Sequence, residues 1–121
     1  MSGGDPLVGI QSLSISRVAG LRSRFSRFAD RFFTAREKQY CLAQRRKPDQ
    51  HFAARLAAKL AARKMLGTGR LKDFEVARNE LGAPQFALHG LAADAAVGKT
   101  IRLSISHEGD LAVAITVMVE N

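Results

Sequence analysis

Between Asp49 and Gly67 the chain carries one long helical stretch, and the rest of the fold has to accommodate it. Asp49 is a candidate N-cap. Gly67 and Gly69 end the helix, because glycine accepts the left-handed conformation in which helices terminate. Phe52, Leu56 and Leu60 lie four apart and share a face. Arg55, Lys59 and Arg63 have the same spacing and form a basic ladder on another face. Like charges so placed repel, so spacing alone reads the ladder as solvated. The Gly67-Thr68-Gly69 loop suggests a second use for the cations, since glycines let backbone N–H groups approach a phosphate. A lone Gly-x-Gly is weak support for that.

The segments on either side complete the class. Residues 7–15 read as an imperfectly alternating strand with Val8, Ile10, Leu13 and Ile15 apolar. Residues 17–33 are helical but broken, with Phe25, Phe28, Phe32 and Phe33 spaced for one face. Thr34 caps the next helix with Glu37 as its capping-box partner, and that helix runs to about Gln44. Downstream, Phe74 and Val76 mark a strand, 80–84 a turn, 85–88 a short strand and 90–97 a short helix. Ile101, Leu103, Ile105 and His107 alternate with polar residues, as do Leu111, Val113, Ile115, Val117 and Val119, and Glu108-Gly109-Asp110 joins the two runs as a hairpin. The prediction is one α+β domain over residues 1–121, a long central helix packed on an antiparallel sheet, with residues 1–6 disordered.

The net charge of +8 is unevenly spread. Residues 17–72 hold 16 of the 19 Lys and Arg but 3 of the 11 acids, a balance of +13, which leaves −5 elsewhere. Such a field favours an acidic partner. Nucleic acid is disfavoured, because the arginines are dispersed and no strand presents a stacking motif. No apolar run is long enough to span a membrane, and Met1–Pro6 lacks a signal-peptide pattern. Cys41 stands alone, so no intrachain disulfide forms and a reducing, cytoplasmic setting is expected. The histidines lack metal-ligand spacing. His107 by spacing is a satisfied, half-buried residue on the Ile101–Ile105 face.

The segment from His51 to Gly69 resembles the signature of holo-acyl-carrier-protein synthases, the small phosphopantetheinyl transferases, roughly R-F-A-A-K-E-A-x-x-K-A-x-G-T-G. Arg55, Lys59, Lys64 and Gly67-Thr68-Gly69 fall in register. Residues 8–18 are similar to the family's G-I-D-L-V-E-I-x-R-I opening, and residues 27–37 to its R-F-x-x-R-x-x-T-x-x-E block. Phe74-Glu75-Val76, Gly82-Ala83-Pro84 and Leu103-Ser104-Ile105-Ser106-His107-Glu108 match I-E-V, G-x-P and L-S-x-S-H-D/E. The resemblance covers about residues 7–120.

The resemblance implies a homotrimer with coenzyme A in a cleft between subunits, serving fatty acid or polyketide biosynthesis. Lys59, Lys64, Gly67, Thr68 and Gly69 would meet its phosphates, and Gly82, Pro84, Ser106 and His107 its nucleotide. Arg17, Leu21, Arg24, Arg27, Phe28 and Arg31 match the surface that receives an acidic acyl carrier protein. The family's Mg²⁺ is held by acids that correspond to Gln11 and Leu60 here. A carboxamide and a hydrocarbon leave Mg²⁺ without a protein carboxylate, so no metal ligand is assigned. Leu60 also gives the site an apolar floor. Gln11, Leu60 and His107 are the positions at or near the chemistry. The expectation is a protein that binds coenzyme A or a carrier protein with transfer lost or replaced. The alternative is an active transferase with a rebuilt Mg²⁺ site.

Overall fold

The computed structural model describes residues 4–121, so the disorder expected for residues 1–6 lies partly outside the described residues. The order is β1 (Leu7–Ser14), α1 (Ile15–Arg24), α2 (Phe28–Phe32), α3 (Ala35–Ala43), α4 (Pro48–Leu66), a 3₁₀ turn (Leu71–Asp73), β2 (Phe74–Arg78), β3 (Pro84–Leu88), α5 (Gly90–Ala95), β4 (Lys99–Glu108) and β5 (Leu111–Glu120). An antiparallel sheet runs β1-β5-β4, and β2 and β3 form a separate antiparallel pair. The class is α+β with α4 lying on the larger sheet, as the sequence predicts.

α4 starts one step earlier than its expected cap. Pro48 takes the first helical position, where its missing N–H costs nothing, and Lys47 precedes it in the left-handed region (φ 58°). Asp49 sits in the first turn instead and pairs with Arg22 at 2.7 Å, tying α4 to α1. Gly67 ends the helix at φ 82°, its N–H donating to the Arg63 carbonyl. The Thr34–Glu37 capping box forms as expected. The phenylalanine face of 17–33 is split by the break between α1 and α2. Phe33 is buried edge-on against Phe52, whereas Phe25 is exposed.

α4 is buried on nearly every side because the sheet, α1, α3 and β2 all pack against it. The sheet approaches closely through small residues. Ala112, Ala114 and Thr116 of β5 are buried, and Ala57, Ala58 and Ala114 share one apolar cluster. Gly9 on β1 is the tightest point, where a Cβ would stand 2.4 Å from the Ala61 carbonyl oxygen. Leu111, Val113, Ile115, Val117 and Val119 of β5 therefore point away from α4, and Met118 is the one large side chain on the buried face. Val8 pairs with Val117 and Ile10 with Ile115 across β1 and β5, and this outer face leaves Val8 and Ile10 more than half exposed at 58% and 59%.

Packing overturns the solvated ladder. Arg55 and Lys59 are buried, at 3% and 0% exposure, and only Arg63 reaches solvent. No helix is long and apolar enough to cross a membrane, among the described residues.

Candidate active-site clefts at the two ends of the central helix

Gln11 sits opposite Ala114 in the β1–β5 register, on the strand face that meets α4. Leu60 and Lys64 lie four apart on the last turns of α4, hence on one side. With Arg63 and Gly67 they line an open cleft of about 320 Å³. Gln11 of β1 and the last turns of α4, distant in sequence, thus share one cleft. The Gln11 side-chain amide donates to the Ser12 carbonyl oxygen at 3.0 Å.

Arg63 also borders a second cleft, of about 460 Å³, with Arg31, Phe32, Gly69, Arg70, Leu71 and Lys72. Four cations face this space. Gly69 (φ 100°) allows the loop to turn tightly, since a Cβ there would lie 3.0 Å from the Phe74 ring and 3.1 Å from Ala92. Thr68 is half-buried between the two glycines. Arg31 and Phe32 continue into an apolar hollow shared with Phe25, Arg27 and Phe28. Arg17, Leu21 and Arg24 lie exposed on the preceding helix. Of the residues matched to carrier recognition, Arg27, Phe28 and Arg31 thus border the hollow beside the cleft. Sequence reasoning missed Arg70 and Lys72, and it placed Arg63 only in the ladder. Their one signal was the local excess of positive charge.

Lys59 is not at this surface, which corrects its assignment as a phosphate contact. Its ammonium pairs with Glu37 at 2.6 Å and donates to the carbonyl oxygens of Leu71 at 3.0 Å and Phe74 at 3.1 Å. The Glu37 carboxylate also accepts from the backbone N–H of Thr34 and Val76. Burial pushes the Lys59 ammonium below its ordinary range, against the opposing pull of Glu37. A cation enclosed this way holds the segment after the Gly67–Gly69 loop and has no free N–H for a ligand.

The remaining matched residues gather at the other end of α4. His107 is exposed rather than half-buried, and its Nε2 meets the Gln50 side chain in the first turn of α4. Ser106 points to the opposite side of β4. Gly82 (φ 84°) shapes the β2–β3 turn, and its carbonyl accepts from Arg78 at 2.6 Å. Pro84 borders a groove of about 420 Å³ against β4. Arg78 also donates to the Tyr40 hydroxyl at 2.8 Å. The Arg55 guanidinium lies 3.9 Å over the Tyr40 ring, and its buried Nε has no hydrogen-bond partner among the described residues. His51 packs edge-on against Tyr40. Its pKa is lowered first by burial and then by Arg55, Arg78 and His107. From Gln50 to Gly67 the helix rises roughly 25 Å, so His107 and the glycine loop of one chain sit at opposite ends.

Residues 7–116 match the 4′-phosphopantetheinyl transferase superfamily. A holo-acyl-carrier-protein synthase of Koribacter versatilis is 39% identical over 119 residues, covering 91% of this chain and 94% of the relative. One from Syntrophotalea carbinolica is 39% identical over 126 residues, covering 98% and 94%. The chain belongs to the holo-acyl-carrier-protein synthase family of phosphopantetheinyl transferases. The family's fold is matched in solved structures too. A Bacillus anthracis holo-acyl-carrier-protein synthase in complex with CoA (3′,5′-ADP) superposes with a TM-score of 0.79, at 26% identity over 95% of this chain and 96% of that one.

These relatives correct the expectation that transfer is lost or replaced. Chains similar to this one from end to end are holo-acyl-carrier-protein synthases. That similarity runs over nearly the whole length of both chains. The metal is a separate question. A carboxamide at position 11, a hydrocarbon at position 60 and the cations Arg63 and Lys64 line the first cleft. Mg²⁺ takes carboxylate, phosphate and water oxygens, so this donor set does not fit it. Among the described residues no group of three or more His, Cys, Asp and Glu could hold a metal ion.

Proposed function

We propose that the chain is an active 4′-phosphopantetheinyl transferase, moving the phosphopantetheine arm of coenzyme A to a serine of an acyl carrier protein. The observation that carries this reading is the end-to-end similarity to holo-acyl-carrier-protein synthases. The cleft uniting Gln11, Leu60, Lys64 and Gly67 supports it. The serine Oγ bonds to the phosphorus on the pantetheine side of the diphosphate. The bond from that phosphorus to the bridging oxygen breaks, and 3′,5′-ADP leaves with the electron pair. The serine proton passes to water. Such transfer depends chiefly on positioning and charge stabilisation. Lys64 and the backbone N–H groups of Thr68 and Gly69 would hold phosphate oxygens, with the Gln11 amide as a neutral donor.

The working unit in this proposal is a homotrimer. Two features support assembly: the uncovered apolar sheet face around Val8, Ile10 and Ile115, and the separation of His107 from the glycine loop along α4. A neighbouring subunit would bring its Gly82, Pro84, Ser106 and His107 to the nucleotide, with the Arg55 guanidinium stacked on Tyr40 beneath them. The carrier protein would dock on Arg17, Leu21, Arg24, Arg27, Phe28 and Arg31, where its acidic helix meets the positive field.

Incubation with apo-acyl carrier protein and coenzyme A, followed by intact-mass analysis, tests the reading. Carrier protein gaining the phosphopantetheine mass well above a no-enzyme control supports it. No gain under any condition overturns it.

A further inference from the structure

The side chains of the first cleft include two cations and no carboxylate. Gln11, Leu60, Arg63, Lys64 and Gly67 line it, and none carries negative charge. Arg63 and Lys64 are exposed, and neither has a carboxylate partner among the described residues. Arg63 borders both this cleft and the basic cleft that runs toward α2, so it lies between the space for the diphosphate and the approach of the carrier serine. It occupies a position that the family signature leaves open.

The physical logic is reciprocal. A carboxylate at position 11 or 60 would repel a diphosphate unless a cation lay between them. A neutral amide and a hydrocarbon remove that repulsion. They also leave the charge of the departing phosphate to be met by something else. A guanidinium suits this task because its planar fork can donate to two phosphate oxygens at once and never deprotonates. The two cations also oppose the negative end of α4, which would otherwise disfavour an anion here.

Resting on the transferase reading above, we infer that Arg63, assisted by Lys64, takes over neutralisation of the diphosphate, so that transfer proceeds without a divalent metal. The bonds made and broken are those already given. Arg63 stabilises the charge gathering on the bridging oxygen as 3′,5′-ADP leaves, and the carrier serine's proton still goes to water.

The test measures transfer to apo-acyl carrier protein by intact mass, in excess EDTA and in millimolar Mg²⁺, for the wild type, Arg63→Ala and Arg63→Lys. Calorimetry of coenzyme A binding under both conditions gives a readout independent of turnover. The wild type is expected to transfer at rates equal within about twofold in the two conditions. Arg63→Ala should lose about 10³-fold, the low end for a phosphoryl-transfer arginine, with partial recovery in Arg63→Lys. Coenzyme A affinity should be unchanged by EDTA and weaker in Arg63→Ala. Because Arg63 is exposed, matching thermal melts will show that the variant folds. Transfer that requires Mg²⁺ overturns this inference and leaves the transferase reading standing. Wild-type rates in Arg63→Ala overturn it equally. Absence of transfer in both conditions removes the transferase reading and this inference together.

Discussion

The Lys59 ammonium lies 2.6 Å from the Glu37 carboxylate, and both side chains are sealed from solvent. Through this pair α3, α4, the 3₁₀ turn and β2 are joined at one point. Removing one partner would leave a buried charge uncompensated, a loss of about 3–5 kcal/mol. Lys59→Met should lower the urea midpoint accordingly. Lys59→Met with Glu37→Gln should recover part of the loss. A single variant as stable as wild type would mean that the pair contributes little to holding these elements.

Gly9 is where strand and helix come closest. A Cβ there would stand 2.4 Å from the Ala61 carbonyl oxygen and 2.7 Å from the Thr116 hydroxyl. Overpacking of this kind costs about 1–3 kcal/mol. Gly9→Ala should reduce the thermal midpoint, whereas Gly20→Ala, with open space around it, should not.

Asp110 at the β4–β5 hairpin secures the start of α1. Its carboxylate accepts from the Ser14 hydroxyl at 2.7 Å, the Ser16 hydroxyl at 2.8 Å and the Ser16 backbone N–H at 2.8 Å. The bonds from Ser14 and Ser16 hold its pKa below the ordinary value of 3.8. A depressed carboxylate contributes stability that is present above its unfolded pKa and lost as pH falls through the folded one. Denaturation midpoints measured from pH 5 downward should fall less steeply for Asp110→Asn than for wild type. An unchanged acid slope would remove Asp110 from the account.

Cys41 is buried, and burial pushes its thiol up to about 11. At neutral pH the reactive thiolate is scarce. A thiol reagent should label the native protein slowly and the urea-unfolded protein quickly. Equal rates would mean that the site opens freely.

Gln11→Asp together with Leu60→Glu would place two carboxylates in the first cleft. Their repulsion of the diphosphate should suppress transfer in EDTA, and Mg²⁺ should restore it. The double variant thus exchanges metal indifference for metal dependence in the intact-mass assay. The same response to EDTA as wild type would mean that these positions do not govern the metal.

Much of the architecture was legible because local rules wrote it. The Thr34–Glu37 box, the Gly67 terminus and the Glu108-Gly109-Asp110 hairpin each rest on chemistry within a few residues. Several conclusions failed where distant segments intervene. The Arg55–Lys59–Arg63 ladder looked uniform from spacing, yet Glu37 buried one member and Tyr40 another. Arg63 and the basic loop at 70–72 looked like scattered charge until folding placed them on one cleft. Gln11 and Leu60, from opposite quarters of the chain's first half, gained a shared setting only when β1 was laid against α4.

From its residues alone the chain determined its class, its family and the order of its helices and strands, because capping, glycine conformation and hydrophobic period act locally. Only the tertiary structure decided which cations are buried, which way β5 faces and which side chains share a cleft. Those outcomes depend on what packs against each residue, and burial sets whether a charge acts on a ligand or on the fold.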